Sequence, residues 1–228
     1  MRRNAVVAIL TVAAVCLLLA PANAQGPGPG QGQSKLIKYV NSLPLQTVDA
    51  KEEAALRVMI QDEKLARDFY LAMDYFWSQP IFGNIAKSEQ QHMDWLKLVY
   101  TRNKLTYPIT DDRVGQFPDA AFQQLWTLMV IVGSQSNMNA LWLGNAVEDL
   151  DIYDLMQLLP QTDNRDIQTV YQNLLKGSRN HLRAFNAVLT SFKGSYSALF
   201  ISPTVFTAIV TSAHETAVVY DENGKPLP

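Results

Sequence analysis

Four long stretches of this chain carry apolar residues at steps of three and four, and each stripe breaks near its middle at a polar or ionisable group. The first, over residues 48–77, runs Leu56, Met59, Ile60, Glu63, Ala66, Tyr70, Met73, Trp77, and Pro80 with Gly83 closes it. The second, over 84–103, runs Ile85, Glu89, His92, Leu96, Val99. The third, over 137–159, runs Leu141, Gly144 or Asn145, Glu148, Ile152 with Asp151 beside it, Leu155 and Leu159, and Pro160 stops it. The fourth, over 165–192, runs Ile167, Tyr171, Leu174, Ser178, His181, Phe185, Val188, Phe192. This spacing predicts four amphipathic helices, each burying one face. No β pattern precedes Ser195.

Link lengths then choose the arrangement. Short links make antiparallel neighbours, and one long link lets its two helices run parallel. The connection between the second and third helices is long, with Pro108, Pro118 and a short helix expected over 119–132. The fold class expected is all-α, a four-helix bundle with one crossover between helices 2 and 3. A further short helix is expected over 203–213, followed by a polar tail over 215–228.

A bundle stripe should be apolar, so its exceptions carry the information. They are Glu63, Glu89 with His92, Glu148 with Asp151, and Ser178 with His181. One unpaired carboxylate in a core is costly, and several together also repel. A cation between them removes both penalties. Glu89 and His92, three residues apart, present a carboxylate and an imidazole on one helix face, the pattern of bundle sites for two iron or two manganese ions. The chain has 3 His and 1 Cys, too few for a cysteine-rich zinc site or a disulfide scaffold, and its net charge of −2 gives no basic surface for nucleic acid. Each signal also has a plainer reading. Glu63 sits in a charged run from Asp62 to Asp68, Asp149, Asp151 and Asp154 would make a solvated face, and a lone His181 fits a hydrogen-bonded core. Tyr70 and Tyr171 read first as core aromatics, with hydroxyls able to reach ligands. Arg67, Arg179 and Arg183 read as counter-charges to carboxylates, and His214 as a surface residue.

The beginning of the chain has a different origin. Arg2 and Arg3 precede an apolar run over 5–20, and Ala22-Asn23-Ala24 is a small-x-small cleavage site. Residues 1–24 are therefore expected to be a secretory signal peptide, which makes the protein exported: periplasmic, envelope-bound or extracellular. Cys16 raises the alternative of lipidation, which Ala13-Ala14-Val15 disfavours by lacking a leucine. No membrane span is expected in the mature chain. Residues 25–46, rich in Gly, Pro and Gln at their start, read as a flexible leader, and residues 47–214 as the helical domain.

Residues 63–68 (EKLARD), 84–92 (NIAKSEQQH), 148–155 (EDLDIYDL) and 177–185 (GSRNHLRAF) resemble the uncharacterised ferritin-like family grouped as domain of unknown function 2202. The resemblance covers residues 49–213 and implies a ferritin-like four-helix fold with no settled activity. By that likeness the metal ligands are Glu63, Glu89, His92, Glu148 and His181. The chain departs from the pattern at Ser178, where the fourth helix of a di-iron site usually brings a glutamate. Asp151, one turn from Glu148, would restore the charge balance by turning inward. The function expected is binding of one or two Fe or Mn ions, with oxidation of Fe(II) or removal of oxidants. Glu63 and Glu148 would then be terminal ligands and Glu89 a bridge. Such a protein would use a separate electron donor and would be open to homo-oligomerisation. The alternative is a metal-free bundle in a binding or envelope role, its site degenerate at Ser178.

Overall fold

A computed structural model describes residues 31–216 and 218–228. The signal peptide expected over 1–24 lies outside them. The described residues form seven α-helices and no strand. They are α1 (Gln31–Ser42), α2 (Ala50–Trp77), α3 (Pro80–Arg102), α4 (Ala120–Gly133), α5 (Asn137–Leu158), α6 (Arg165–Ser191) and α7 (Pro203–Val210). The chain is all-α, as the periodicity predicts. No helix among the described residues is long and apolar enough to cross a membrane.

Local chemistry sets the helix ends. Asp49 caps α2 by accepting the Lys51 and Glu52 N–H groups, while the Glu52 carboxylate accepts the Asp49 N–H. Asn164 caps α6 through the Asp166 and Ile167 N–H groups, and Ser136 caps α5 through Asn139. One boundary differs from expectation. Pro80 starts α3 instead of ending α2, because at the first helical position its missing N–H was an orphan anyway. The preceding helix ends through Ser78, in the left-handed region at φ 47°.

The four long helices pack as two close pairs, α2 on α3 and α5 on α6. The partners Arg67–Gln90 and Glu63–His92 make α2 and α3 antiparallel. Tyr70 reaching Glu148 sets α5 against α2, and Ser88 reaching His181 sets α6 against α3. The apolar interior falls into two clusters. One holds Ile60, Leu96, Val99, Ile152 and Leu174, and the other Ala66, Phe69, Phe82, Leu141 and Phe185. The polar interruptions of the four stripes lie in sequence between them.

Buried ion pairs hold the crossover. Lys64 and Asp68, both fully buried, sit 2.5 Å apart, and the second Asp68 oxygen takes the Arg67 guanidinium at 2.8 Å. Lys64 also donates to the Arg113 carbonyl, Gly115 N–H donates to Asp68, and Arg67 pairs with Asp112. Arg67 is thus a counter-charge, but for the crossover.

Two expected loose ends are ordered. The leader assigned to 25–46 contains α1, whose Leu36 and Val40 are fully buried and pack on α3 and α6. Arg102 fastens its end by donating to the Asn41 and Leu43 carbonyls while pairing with Asp166. The tail over 215–228 is also docked. Val219 is buried, Tyr220 and Asn173 exchange two hydrogen bonds, and Glu222 binds Arg165 and Tyr39. Arg179 and Arg183 pair with Glu215, so they too serve the tail. His214 is exposed, as expected.

Asp149 is fully buried, contrary to a solvated face. It accepts the Tyr196 hydroxyl and the Leu199, Phe200 and Ile201 N–H groups, pinning the segment after α6. Asp149→Ala would strand all four donors and is expected to cost about 3–5 kcal/mol in denaturant unfolding. Glu215 gives a pH signature. Burial pushes its carboxyl up, but hydrogen bonds and charge from Arg179 with help from Arg183 outweigh it and hold it at about 2 instead of 4.5. A depressed folded value means the stabilisation is complete above 4.5 and lost as pH falls through about 2. The stability difference between wild type and Glu215→Gln should stay constant from pH 7 to 5 and shrink below.

Candidate metal centre

Each long helix contributes at the same height. From α2 comes Glu63, from α3 Glu89 and His92 one turn apart, from α5 Glu148, and from α6 His181. All five are at most 7% exposed. Glu89 lies in the middle. Its Oε2 is 2.7 Å from His92 Nδ1, and its Oε1 is 2.8 Å from His181 Nδ1. His92 Nδ1 is also 3.0 Å from Glu63 Oε2, and His181 Nδ1 is 3.4 Å from Glu148 Oε2. The imidazoles stack with centroids 5.5 Å apart. Two three-residue sets result, Glu63–Glu89–His92 and Glu89–Glu148–His181, each with ligand atoms within 4.8 Å of one another.

Glu63 Oε1 is buried with no hydrogen-bond partner among the described residues, and Glu89 Oε1, Glu148 Oε2 and His181 Nδ1 meet one another as ion pairs out of hydrogen-bond alignment. Buried polar atoms are ordinarily satisfied, so this cluster calls for an explanation. The electrostatics are equally taut. Burial pushes the Glu63 and Glu148 carboxyls up. Glu89 is also desolvated, yet His181 and His92 together hold it low. Burial would lower His92, but the charges of Glu63 and Glu89 win and raise it to about 9. Glu89 and Glu148 likewise overcome burial at His181 and raise it. The two imidazoles, raised in this way, offset part of the charge of the three carboxylates.

Around this centre, Tyr70 donates to Glu148 Oε1 at 2.6 Å, and Ser88 meets His181 Nε2 at 2.8 Å. The Ser88 contact turns Nδ1 of His181 toward the carboxylates. Nothing in the sequence singles out Ser88, because a serine on a helix is an ordinary polar residue. Tyr171 is buried in the apolar cluster away from the centre, a core aromatic. Asp151 is buried, with its carboxyl pushed well up by desolvation and by the charges of Glu63 and Glu148, but it belongs to neither ligand set. Ser178 is buried and donates to the Leu174 carbonyl. Its neighbour Gly177 abuts the His92 ring, and a Cβ there would lie 2.3 Å from Nε2.

The family model described as uncharacterised protein domain (DUF2202) matches residues 52–213. The chain belongs to this family. It is similar to the uncharacterised protein MJ0754 of Methanocaldococcus jannaschii, 41% identical over 180 residues, which cover 79% of this chain and 97% of that protein. The crystal structure of hypothetical protein MJ0754 from Methanococcus jannaschii superposes with a TM-score of 0.75, covering 76% of this chain and 99% of that one.

The Gly177 contact makes a prediction. Gly177→Ala would drive a methyl into the His92 ring on a helix that cannot retreat. The expected outcome is loss of about 1–3 kcal/mol in unfolding free energy and displacement of the His92 imidazole resonances in NMR spectra.

Proposed function

We propose that this protein is a ferritin-like four-helix bundle that binds one or two iron or manganese ions among Glu63, Glu89, His92, Glu148 and His181. The observation that carries the reading is that three carboxylates and two imidazoles from four helices meet in the buried interior in two groups, each with ligand atoms within 4.8 Å of one another. Each ligand set offers two carboxylates and one imidazole nitrogen, a hard mixed-donor environment suited to iron or manganese. Glu89 would bridge, Glu63 and Glu148 would be terminal, and each imidazole would serve one ion. The antiparallel pairing of α2 with α3, the close packing of α5 on α6 and the long crossover before α5 support the ferritin-like placement. The centre has three carboxylates against the four positive charges of two divalent ions, and Ser178 supplies no fourth. Export to the cell envelope or beyond rests on Arg2, Arg3 and the apolar run over 5–20.

Iron held by these residues would supply redox chemistry: two Fe(II), each going to Fe(III), would with two protons reduce one hydrogen peroxide to two waters. The chain's own groups bury the centre, orient the imidazoles and place the Tyr70 hydroxyl against Glu148. The reaction class proposed is ferrous oxidation or oxidant removal, with electrons from a separate donor.

Anaerobic loading with Fe(II) or Mn(II), followed by element analysis, tests the reading. One to two equivalents are expected, with proton release as metal replaces the imidazole protons. Chelator should lower the melting temperature of the wild type but not of the Glu89→Leu, His92→Leu double variant. Uptake below about 0.2 equivalents overturns the proposal and favours a metal-free bundle, in which these side chains form an internal polar network.

A further inference from the structure

Residues 120–147 contain no Asp, Glu, Lys or Arg, and neither do residues 194–213. At the chain's 18% charged residues, the first run alone would hold about five. That run spans α4 and the first part of α5, and the second follows α6. The fold brings them together. Leu125 of α4, Trp142 and Val147 of α5, and Leu199 and Phe200 line one cavity, and Tyr196 packs edge-on against Trp142 at 5.4 Å.

One side of the molecule is therefore without charge. Helix α4 buries Phe122, Leu125, Met129 and Gly133. Its other face bears Gln124, Leu128, Ile131 and Gln135, at steps of four, three and four, all exposed or half-buried. On the adjoining elements Met138 is 36% exposed, Leu199 is 44% exposed and Trp142 is half-buried. Helices α2 and α3 instead present exposed Arg57, Lys87, Asp94 and Lys97.

Apolar side chains grouped on one outer face mark an interaction site, and chemistry selects the occupant. A face that lies on a membrane carries Lys and Arg toward the headgroups, and these runs have neither. A charged partner would find nothing here to pair with. A second copy fits. In a two-fold interface the same patch faces itself, so any charge on it would oppose its own kind. This face has none to oppose. The Gln124 and Gln135 amides each donate and accept, so each can pair with its own counterpart. We infer that the protein is a homodimer closed through the outer face of α4 and the adjoining surface of α5 and Leu199.

The inference does not depend on the metal reading. Sedimentation velocity and light scattering over a concentration series test it on the purified protein. The wild type should show twice the chain mass. Leu128→Glu sets two carboxylates against each other across the interface and should raise the dissociation constant at least about tenfold. Gln124→Glu, nearly isosteric and at an exposed position, should act in the same direction, with recovery at high salt. Circular dichroism should show both variants as helical as the wild type. Arg57→Glu, on the charged side, should leave the dimer intact. A wild type that stays monomeric up to about 0.1 mM overturns the inference. So does a dimer that Gln124→Glu and Leu128→Glu leave unchanged, or one that Arg57→Glu weakens equally. Co-sedimentation of a monomeric wild type with phosphatidylglycerol vesicles would assign the face to a membrane and overturn it too.

Discussion

Glu89 stands between two imidazoles, and the arrangement of the long helices depends on that sharing. Three carboxylates and two histidines lie inside a helical interior that is otherwise apolar. Isolated, each ionised group would be expelled from such an environment or neutralised. Together they remain only if all four helices meet at one height, with His92 and His181 each against two carboxylates. A shift of one helix by one turn would leave an unpaired charge in the core. The register that apolar packing alone leaves loosely specified is therefore set by the polar layer. Gly177 shows how closely that layer is fitted, since α6 comes near enough to α3 to leave no room for a methyl group against His92.

The same rule, that a buried charge must find a partner, places the segments outside the long helices. Asp68 takes Lys64, Arg67 and the Gly115 N–H, which brings the crossover down onto α2. Asp149 gathers the turn after α6. Glu215 and Glu222 take arginines from α6 and so draw the chain end along that helix. Two of these ties are made by residues next to the candidate ligands in sequence. Asp149 follows Glu148, and Lys64 follows Glu63. At these two places neighbouring residues on one helix divide the work: one side chain turns to the buried polar centre, and the next holds a connecting segment in place.

The candidate centre is polar and buried, and apolar clusters lie on either side of it in sequence along the long helices. The helical fold is shared with the uncharacterised protein MJ0754 over nearly all of that protein's length.

Periodicity by itself determined much of this. The four long helices and both short ones, over 119–132 and 203–213, could be read from apolar residues at steps of three and four, because a helix face is a local property. Glu63, Glu89, His92, Glu148 and His181 could be singled out as wrong for a buried stripe, since burial of charge is costly whatever surrounds it. The remainder depended on which segments touch. The first helix has only Leu36, Val40 and Leu43 to bury, too little for a sequence signal but enough once α3 and α6 provide a groove. The tail over 215–228 looks polar because its charges are meant for Arg165 and Arg179, which lie 57 and 36 residues away in the chain. Asp149 and Asp151 read alike in sequence, yet one anchors a turn and the other lines a cavity between α2, α4 and α5. Partner choice among equivalent side chains is made by distance in space, and only the tertiary structure holds that information.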